Sequence, residues 1–200
     1  MSERRLGLLG GTFDPFHFGH LAAADAAIDC ADLDRVVFIP AAQPPHRPPA
    51  VASPEQRLEM CRLGIEDEPR FEVSDMELKR EGPSYTVDTL GEMRRVQPDD
   101  ELFLILGWDA ARLFSTWHKP DEVRELATIV VVARPGSAAP QEEDLKVVGL
   151  GEAKVVLCLK TTPDVSASDI RKAVAEGRPI TGKVSSAVER YIASHRLYAG

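Results

Sequence analysis

One stretch near the amino terminus constrains the fold more than any other part of the chain. It runs from an apolar segment, residues 6–9, through a glycine turn to an alanine-rich segment, residues 21–28. The first segment is typical of a buried strand and the second of a helix. Gly10 and Gly11 allow the backbone between them to turn tightly and approach a ligand, because glycine has no Cβ. Strand, glycine turn and helix in this order predict an α/β protein with a phosphate site at a helix N-terminus.

Two histidines follow the glycine turn. His17 and His20 are three residues apart, so they share one face if the helix begins near His17. Gly19 has no side chain and therefore leaves room for a phosphate on that face. Protonated imidazoles beside a helix N-terminus suit an anion, although the helix dipole disfavours the charged ring unless a polyphosphate is bound. Ordinary turn histidines or part of a metal site are the alternatives, and the strand–turn–helix context favours the phosphate site.

Residues 10–20 read G-G-T-F-D-P-F-H-F-G-H and resemble the signature of the nucleotidyltransferase superfamily with the H-x-G-H motif. Members of that superfamily join a nucleoside monophosphate to a phosphate-bearing acceptor and release pyrophosphate. The resemblance implies a Rossmann-like, doubly wound parallel sheet of the nucleotidyltransferase type, with His17 and His20 as catalytic residues. It also assigns Gly10, Gly11, Thr12, Phe13 and Gly19 to ATP and Asp14 to the acceptor nucleotide.

A second stretch, residues 84–90, resembles the S-Y-T-x-x-T-L segment of nicotinate mononucleotide adenylyltransferases, a narrower group. It predicts a helix start, where backbone amides at Tyr85 and Thr86 hold a carboxylate. In that family the carboxylate belongs to the nicotinate ring, and the resemblance also places Ser84 in the pyridine-nucleotide site. A plain Ser/Thr helix cap is the alternative.

Two further features resemble the pyridine-nucleotide site of the same family. Trp117 matches a family tryptophan that stacks on the pyridine ring, and core packing is the alternative. Four prolines in residues 44–49 predict an extended loop. His46 and Arg47 in this loop resemble a family P-P-H-K stretch, with arginine in place of lysine. A solvated loop with incidental charges is the alternative.

The segment 161–171 resembles the family's second signature, I-S-S-T-x-I-R, with strict matches at Ser166, Ile170 and Arg171. Ser168 is predicted to cap the following helix and Arg171 to lie in its first turn, where the dipole disfavours a cation. That cost indicates a partner, the triphosphate, and makes Arg171 the third catalytic residue. Ser166 and Ser168 are assigned to ATP, and a capped helix with a surface arginine is the alternative.

Polar residues also follow the predicted strand Glu101–Gly107. Gly107 and Asp109 match a family G-A-D. Because ligands bind at the carboxyl ends of strands in open α/β sheets, Asp109 is placed to accept a hydrogen bond from a ribose hydroxyl. Trp108 replaces a small residue and is expected to reshape the pocket wall. Arg134, after a predicted strand at 128–133, is also assigned to ATP.

The resemblance as a whole implies transfer of the adenylyl group of ATP to nicotinate mononucleotide in NAD biosynthesis, giving nicotinate adenine dinucleotide and pyrophosphate. It implies Mg²⁺ bound through the substrate phosphates, without a metal site in the protein. One alternative is a sister adenylyltransferase acting on nicotinamide mononucleotide or phosphopantetheine. The other is a nucleotide-binding sensor without turnover. A G-x-x-x-x-G-K spacing at 177–183 is not a Walker A loop, because Val184 replaces the residue that binds magnesium.

Length and charge bound the remaining possibilities. The 200 residues predict one domain, 1–200, with a C-terminal helical tail at about 166–200. A net charge of −8 argues against a nucleic-acid partner, whereas small anionic substrates need only local basic groups. No apolar run predicts a signal peptide or membrane span. Cys30, Cys61 and Cys158 are predicted to be reduced thiols in a cytoplasmic protein, as a monomer or a homo-oligomer.

Local signals predict most of the other elements. Further strands are predicted at Arg35–Pro40, Phe71–Val73, Met76–Lys79 and 155–159. Ser53 and Gln56 form a capping box that opens a helix containing Arg57. Arg57 is predicted to be structural, and a ligand-facing side chain is the alternative. Helices are predicted at Pro120–Leu126 and 185–194, and the polar segment 137–144 is predicted to be a loop.

Overall fold

A parallel sheet forms the centre of the structure. The computed structural model describes residues 4–44, 49–133, 140–160 and 162–199. Within these residues the strands are β1 (Arg5–Gly11), β2 (Arg35–Pro40), β3 (Phe71–Val73), β4 (Glu101–Gly107), β5 (Thr128–Val132) and β6 (Val155–Cys158). They lie in the order β3-β2-β1-β4-β5-β6, and all neighbouring pairs are parallel. The predicted Rossmann-like, doubly wound sheet is confirmed.

Helices cover both faces of this sheet. They are α1 (Phe18–Ala31), α2 (Pro54–Gly64), α3 (Met76–Lys79), α4 (Thr86–Val96), α5 (Trp108–Ala111), α6 (Pro120–Leu126), α7 (Glu142–Val147), α8 (Ala167–Ala175) and α9 (Ser186–Ser194). One apolar cluster joins α1, α2, α8 and α9 to one face, and a second joins α3 to α7 to the other. The strands are therefore buried on both sides, which is why they read as continuous apolar runs.

The cap signals that were read from the sequence form as predicted. At α2, the Ser53 hydroxyl accepts from the Gln56 amide at 3.3 Å, and the Gln56 side chain accepts from the Ser53 amide at 2.9 Å. Pro54 takes the first helical position, where its missing N–H costs nothing. Gly177 follows the end of α8 with a φ of +65°, which only glycine adopts without strain. The 177–183 segment is thus a connection between two helices.

Two predictions of secondary structure were wrong. Met76–Lys79 is a short helix rather than a strand, because a four-residue segment carries too little periodicity to separate the two. Glu142–Val147 is a helix that begins inside the predicted loop 137–144. There the Gln141 amide donates to the Asp144 carboxylate at 2.8 Å and closes the first turn.

The cysteine prediction was also wrong for two of the three residues. Cys30 and Cys158 form a disulfide, with their Cα atoms 5.7 Å apart. They are 128 residues apart in sequence, and only the packing of α1 against β6 brings them together. Cys61 is a buried free thiol, and burial raises its pKa.

The connections that follow β1 and β4 cross on opposite faces of the sheet, so the strand order reverses between these two strands.

The predicted C-terminal helical tail contributes Ile170, Val188 and Ile192 to the same apolar cluster as α1. In the part of the chain that is described, none of the helices has the length and apolar character to cross a membrane.

Candidate active site

A cavity of about 570 Å³ lies at the carboxyl ends of β1 and β4, where the strand order reverses. Every predicted site residue within the described part of the chain lines it. These residues are Gly10, Gly11, Thr12, Phe13, Asp14, His17, Gly19, His20, Ser84, Tyr85, Thr86, Gly107, Asp109, Trp117, Ser166, Ser168 and Arg171. The other three, His46, Arg47 and Arg134, lie outside the described residues. The fold therefore gathers residues from distant parts of the sequence at one site.

The two histidines cap α1. His17 is the N-cap residue, and its Nδ1 accepts from the Gly19 amide at 3.1 Å. The Nδ1 of His20 in turn accepts a hydrogen bond from the His17 amide at 3.2 Å. The rings stack with their centroids 3.7 Å apart. A Cβ at Gly19 would meet the His17 ring at 3.0 Å, which favours glycine at position 19. The predicted shared face is present.

This arrangement fixes the protonation of both rings. A ring nitrogen that accepts a hydrogen bond carries no proton, so in each ring the proton is on Nε2. Two imidazolium ions 3.7 Å apart would also repel each other. His17 and His20 thus present Nε2–H donors at a helix N-terminus. Such donors favour an anion, since the helix dipole acts in the same direction. Protonation of the rings by a bound polyphosphate stays a prediction.

Two aromatic side chains pack against the His20 ring. The Phe13 ring packs edge-on against it at 4.8 Å, and the Phe16 ring lies 5.4 Å away. Phe13 is 2% exposed, so its side chain is part of the core that orients the imidazole. Phe13 also lines the cavity, and its contact with ATP stays a prediction.

Asp14 holds the turn between β1 and α1 to two other parts of the chain. Its Oδ2 accepts from the Val51 amide at 2.8 Å, and its Oδ1 accepts from the Ala52 amide at 3.1 Å. The Tyr198 hydroxyl also donates to Oδ1, at 2.7 Å. Asp14 is only 4% exposed. These contacts favour a positioning role for Asp14 over the direct contact with the acceptor nucleotide that was predicted.

Tyr198 and Arg57 are site-supporting residues whose contacts sequence reasoning missed. Burial, and then the hydrogen bond to Asp14, raise the pKa of Tyr198. Arg57 is 1% exposed, and its Nη1 donates to the Thr12 carbonyl at 2.7 Å. The structural role predicted for Arg57 is confirmed, and its partner is the glycine turn itself. Both contacts span long sequence distances, so no local pattern signals them.

Arg171 reaches the same turn from α8. Its Nη1 donates to the Asp14 carbonyl at 2.7 Å, and the guanidinium lines the cavity. The helix cap differs from the prediction, because the hydroxyl that accepts from the Asp169 amide belongs to Ser166, not to Ser168. Arg171 is consequently in the second turn of α8, where the helix dipole opposes a cation less. Its position beside the histidines, rather than a cost to the helix, indicates an anionic partner.

The end of β4 supplies the opposite wall. Gly107 precedes α5, and Asp109 lies in α5 at the edge of the cavity. The Asp109 carboxylate accepts from Arg112 at 2.8 Å on the exposed surface. Trp108 packs against the apolar cluster below α5 and is not part of the cavity wall. The expected change in pocket shape at Trp108 is thus absent from the cavity lining.

Segment 84–86 forms a wall at the start of α4. Thr86 is the first residue of the helix, so its amide has no intrahelical acceptor. The Tyr85 amide donates to the Pro83 carbonyl at 3.0 Å, which leaves Thr86 as the better carboxylate donor of the predicted pair. The Ser84 oxygen accepts from the amides of Ala42 and Gln43 at 3.1 and 3.3 Å. Ser84 is therefore a connector between two loops and not a cap of α4.

Two rings lie beside this segment. Trp117 is half-buried, packs near Phe114 at 5.4 Å between centroids, and lines the cavity. Trp117 thus takes part in packing and also reaches the cavity, and its stacking on the pyridine ring stays a prediction. His118, which the sequence analysis overlooked, stacks on the Tyr85 ring at 4.3 Å and also lines the cavity. In the sequence, the position of His118 next to Trp117 was the only signal that it belongs to the site.

In residues 4–44, 49–133, 140–160 and 162–199, no three His, Cys, Asp or Glu side chains converge as a metal site.

Comparison with known proteins agrees with this geometry. A family model described as cytidylyltransferase-like matches residues 8–173. A protein of Thermus thermophilus named "probable nicotinate-nucleotide adenylyltransferase" is 49% identical over 194 residues, covering 97% of this chain and 99% of that one. A protein of the same name from Dehalococcoides mccartyi is 41% identical over 202 residues, covering 99% and 98%.

A solved structure shows the same fold at low identity. The nicotinic acid mononucleotide adenylyltransferase of Plasmodium falciparum, complexed with NaAD, superposes with a TM-score of 0.81 at 17% identity, and the match covers 98% of each chain. Fold, full-length identity and family model agree. The chain belongs to the nicotinate-nucleotide adenylyltransferase family of cytidylyltransferase-like proteins.

Proposed function

We propose that this protein transfers the adenylyl group of ATP to nicotinate mononucleotide, giving nicotinate adenine dinucleotide and pyrophosphate. One observation carries the proposal: the paired histidines at the start of α1 share a cavity with segment 84–86 at the start of α4. The first helix start suits a polyphosphate and the second suits a ring carboxylate. The names of the relatives describe the same reaction.

The reaction makes limited demands on the protein. A phosphate oxygen of the mononucleotide attacks the α-phosphorus of ATP, and the bond from that phosphorus to the oxygen bridging to the β-phosphate breaks. The nucleophile is already an anion, so no general base is required. Catalysis then consists of aligning the two phosphates and stabilising the charge that develops on pyrophosphate.

The charged and polar groups of the cavity fit these demands. The Nε2–H groups of His17 and His20 donate to the triphosphate, and the guanidinium of Arg171 adds a positive charge beside them. Asp14 and Arg57 hold the glycine turn in place while the substrates bind. Mg²⁺ would be held by the phosphates of ATP and would neutralise part of their charge.

Two alternative functions can be distinguished from the proposed one. A sister enzyme would act on nicotinamide mononucleotide or phosphopantetheine, but segment 84–86 and Trp117 favour a pyridine ring with a carboxylate over a pantetheine arm. A sensor without turnover would not need two imidazole N–H donors at the start of α1. The His17, Gly19 and His20 arrangement thus favours an enzyme.

One assay tests the proposal directly. Pyrophosphate release from ATP and Mg²⁺ is measured with nicotinate mononucleotide, nicotinamide mononucleotide and phosphopantetheine in separate reactions. We expect the highest kcat/KM with nicotinate mononucleotide. A higher value with either other acceptor would assign the chain to a sister activity, and no pyrophosphate with any acceptor would support the sensor.

Trp117 provides a second prediction. Trp117→Ala is expected to raise the KM for nicotinate mononucleotide about fivefold, because a ring–ring contact contributes on the order of 1 kcal/mol, and to change the KM for ATP little. Steady-state kinetics with each substrate varied in turn measure both values. Trp108→Ala is the matched control, since Trp108 packs in the core outside the cavity. Equal effects on both substrates would mean that Trp117 is only a core residue.

A further inference from the structure

A buried carboxylate lies beside the cavity and has no role in the reaction just described. Glu77, in the short helix α3, is 6% exposed and lines the cavity together with segment 84–86. Acidic side chains are rarely buried to this degree without specific partners. Burial raises the pKa of Glu77, and the hydrogen bonds from Thr89 and Ser84 oppose that shift.

The partners of Glu77 form a chain of side chains around the start of α4. The Thr89 hydroxyl donates to Glu77 Oε1 at 2.6 Å, and Arg80 donates to the same hydroxyl oxygen at 2.9 Å. Arg80 also donates to Glu92 at 3.2 Å. Thr89 is 5% exposed, so its contact with Glu77 is shielded from water and stronger than a surface hydrogen bond.

Ser84 completes the chain on the other side. Its oxygen already accepts from the Ala42 and Gln43 amides, so its hydroxyl proton has to point to a different acceptor. The Glu77 carboxylate is near enough for the Ser84 hydroxyl to lower the pKa of Glu77. The Ser84 amide also donates to the Gln43 carbonyl at 3.0 Å. Glu77 thus interacts with the first residue of segment 84–86, Ser84, and is hydrogen-bonded to Thr89 one turn further along α4.

We propose that Glu77 is a positioning residue for the pyridine nucleotide: through Ser84 and Thr89 it fixes the backbone at Thr86, whose amide receives the ring carboxylate. The inference rests on the proposed function. The ATP side of the cavity is built from the β1–α1 turn, the end of β4 and α8, and the side-chain hydrogen bonds among Glu77, Thr89 and Arg80 do not extend to these elements. Loss of Glu77 consequently loosens the acceptor side and leaves the ATP side intact.

The test uses Glu77→Gln, Thr89→Val and Thr89→Ser in the full chain. Glu77→Gln is expected to raise the KM for nicotinate mononucleotide about tenfold. The KM for ATP and kcat stay close to those of the unmodified protein. The ratio of kcat/KM for the acid over the amide mononucleotide falls as well, because the amide form depends less on the Thr86 amide. Thr89→Val has the same effect, whereas Thr89→Ser, which keeps the hydroxyl, restores normal values.

Glu81→Gln is the matched control, because it makes the same chemical change at an exposed position just after the Arg80 partner. Unchanged kinetics in Glu77→Gln, or a rise in both KM values together, would overturn the inference. If Glu77→Gln fails to fold, the comparison of Thr89→Val with Thr89→Ser decides the question alone. Failure of the unmodified protein to use nicotinate mononucleotide would instead refute the proposed function, so the two failures are distinct.

Discussion

Replacing His17 with asparagine, or His20 with glutamine, is expected to lower kcat by about 100- to 1,000-fold, the usual cost of one donor to a developing anion. The two replacements are chosen to spare the helix. Asparagine is a favoured N-cap residue and glutamine is a favoured third residue of a capping box. Each therefore keeps an acceptor for the backbone amide that the imidazole Nδ1 binds now. The imidazole ring and the Nε2–H donor that it aims at the substrate are removed, together with the stacking of the two rings.

Pyrophosphate release under saturating substrates measures kcat, and thermal unfolding reports the fold. His17→Ala is the contrasting variant, because it removes the donor and the cap together and should lower the free energy of unfolding by about 1 kcal/mol. Near-normal kcat in both His17→Asn and His20→Gln would show that the imidazoles only cap α1. The catalytic assignment of the pair would then be wrong.

Arg171→Ala is expected to lower kcat/KM by about 1,000-fold, a size typical of an arginine that stabilises charge during phosphoryl-type transfer. Arg171 is the cation that α8 brings to the histidine pair, and its Nη1 is already oriented by the Asp14 carbonyl. Arg171→Lys keeps the charge and loses the planar fork, so we expect an intermediate value.

The neighbouring Lys172→Ala is the control for Arg171. It removes one positive charge from the same helix at an exposed position outside the cavity. We expect its kcat/KM to match that of the unmodified protein. A similar loss in both variants would mean that the charge of α8 matters and the position of Arg171 does not.

Local signals predicted much of the fold. Ser53 and Gln56 marked the start of α2, Gly177 marked the end of α8, and the apolar runs at Arg35–Pro40 and Glu101–Gly107 gave β2 and β4 their observed bounds. These signals work because a cap, a positive φ and a strand buried on both faces each restrict the residue types in a short window.

Errors arose where a short window permitted two structures. Met76–Lys79 is too short to show a period, and either Ser166 or Ser168 was able to cap α8. The capping contacts of the histidine rings were also out of reach, because they join ring nitrogens to backbone amides three and two residues away in a folded turn. The disulfide between Cys30 and Cys158 depends on packing across the sheet.

The sequence by itself indicated which residues meet at the cavity. The turn after β1 and the end of β4 were indicated by their places at the carboxyl ends of parallel strands. Segments 84–86 and 166–171 were indicated by their resemblance to the family. Only the tertiary structure decided what each of them does there. Asp14, Ser84 and Glu77 each hold partners from segments far away in the chain, and their oxygens are occupied before any substrate binds. A buried polar atom takes its role from the donors that surround it, and packing alone brings those donors together.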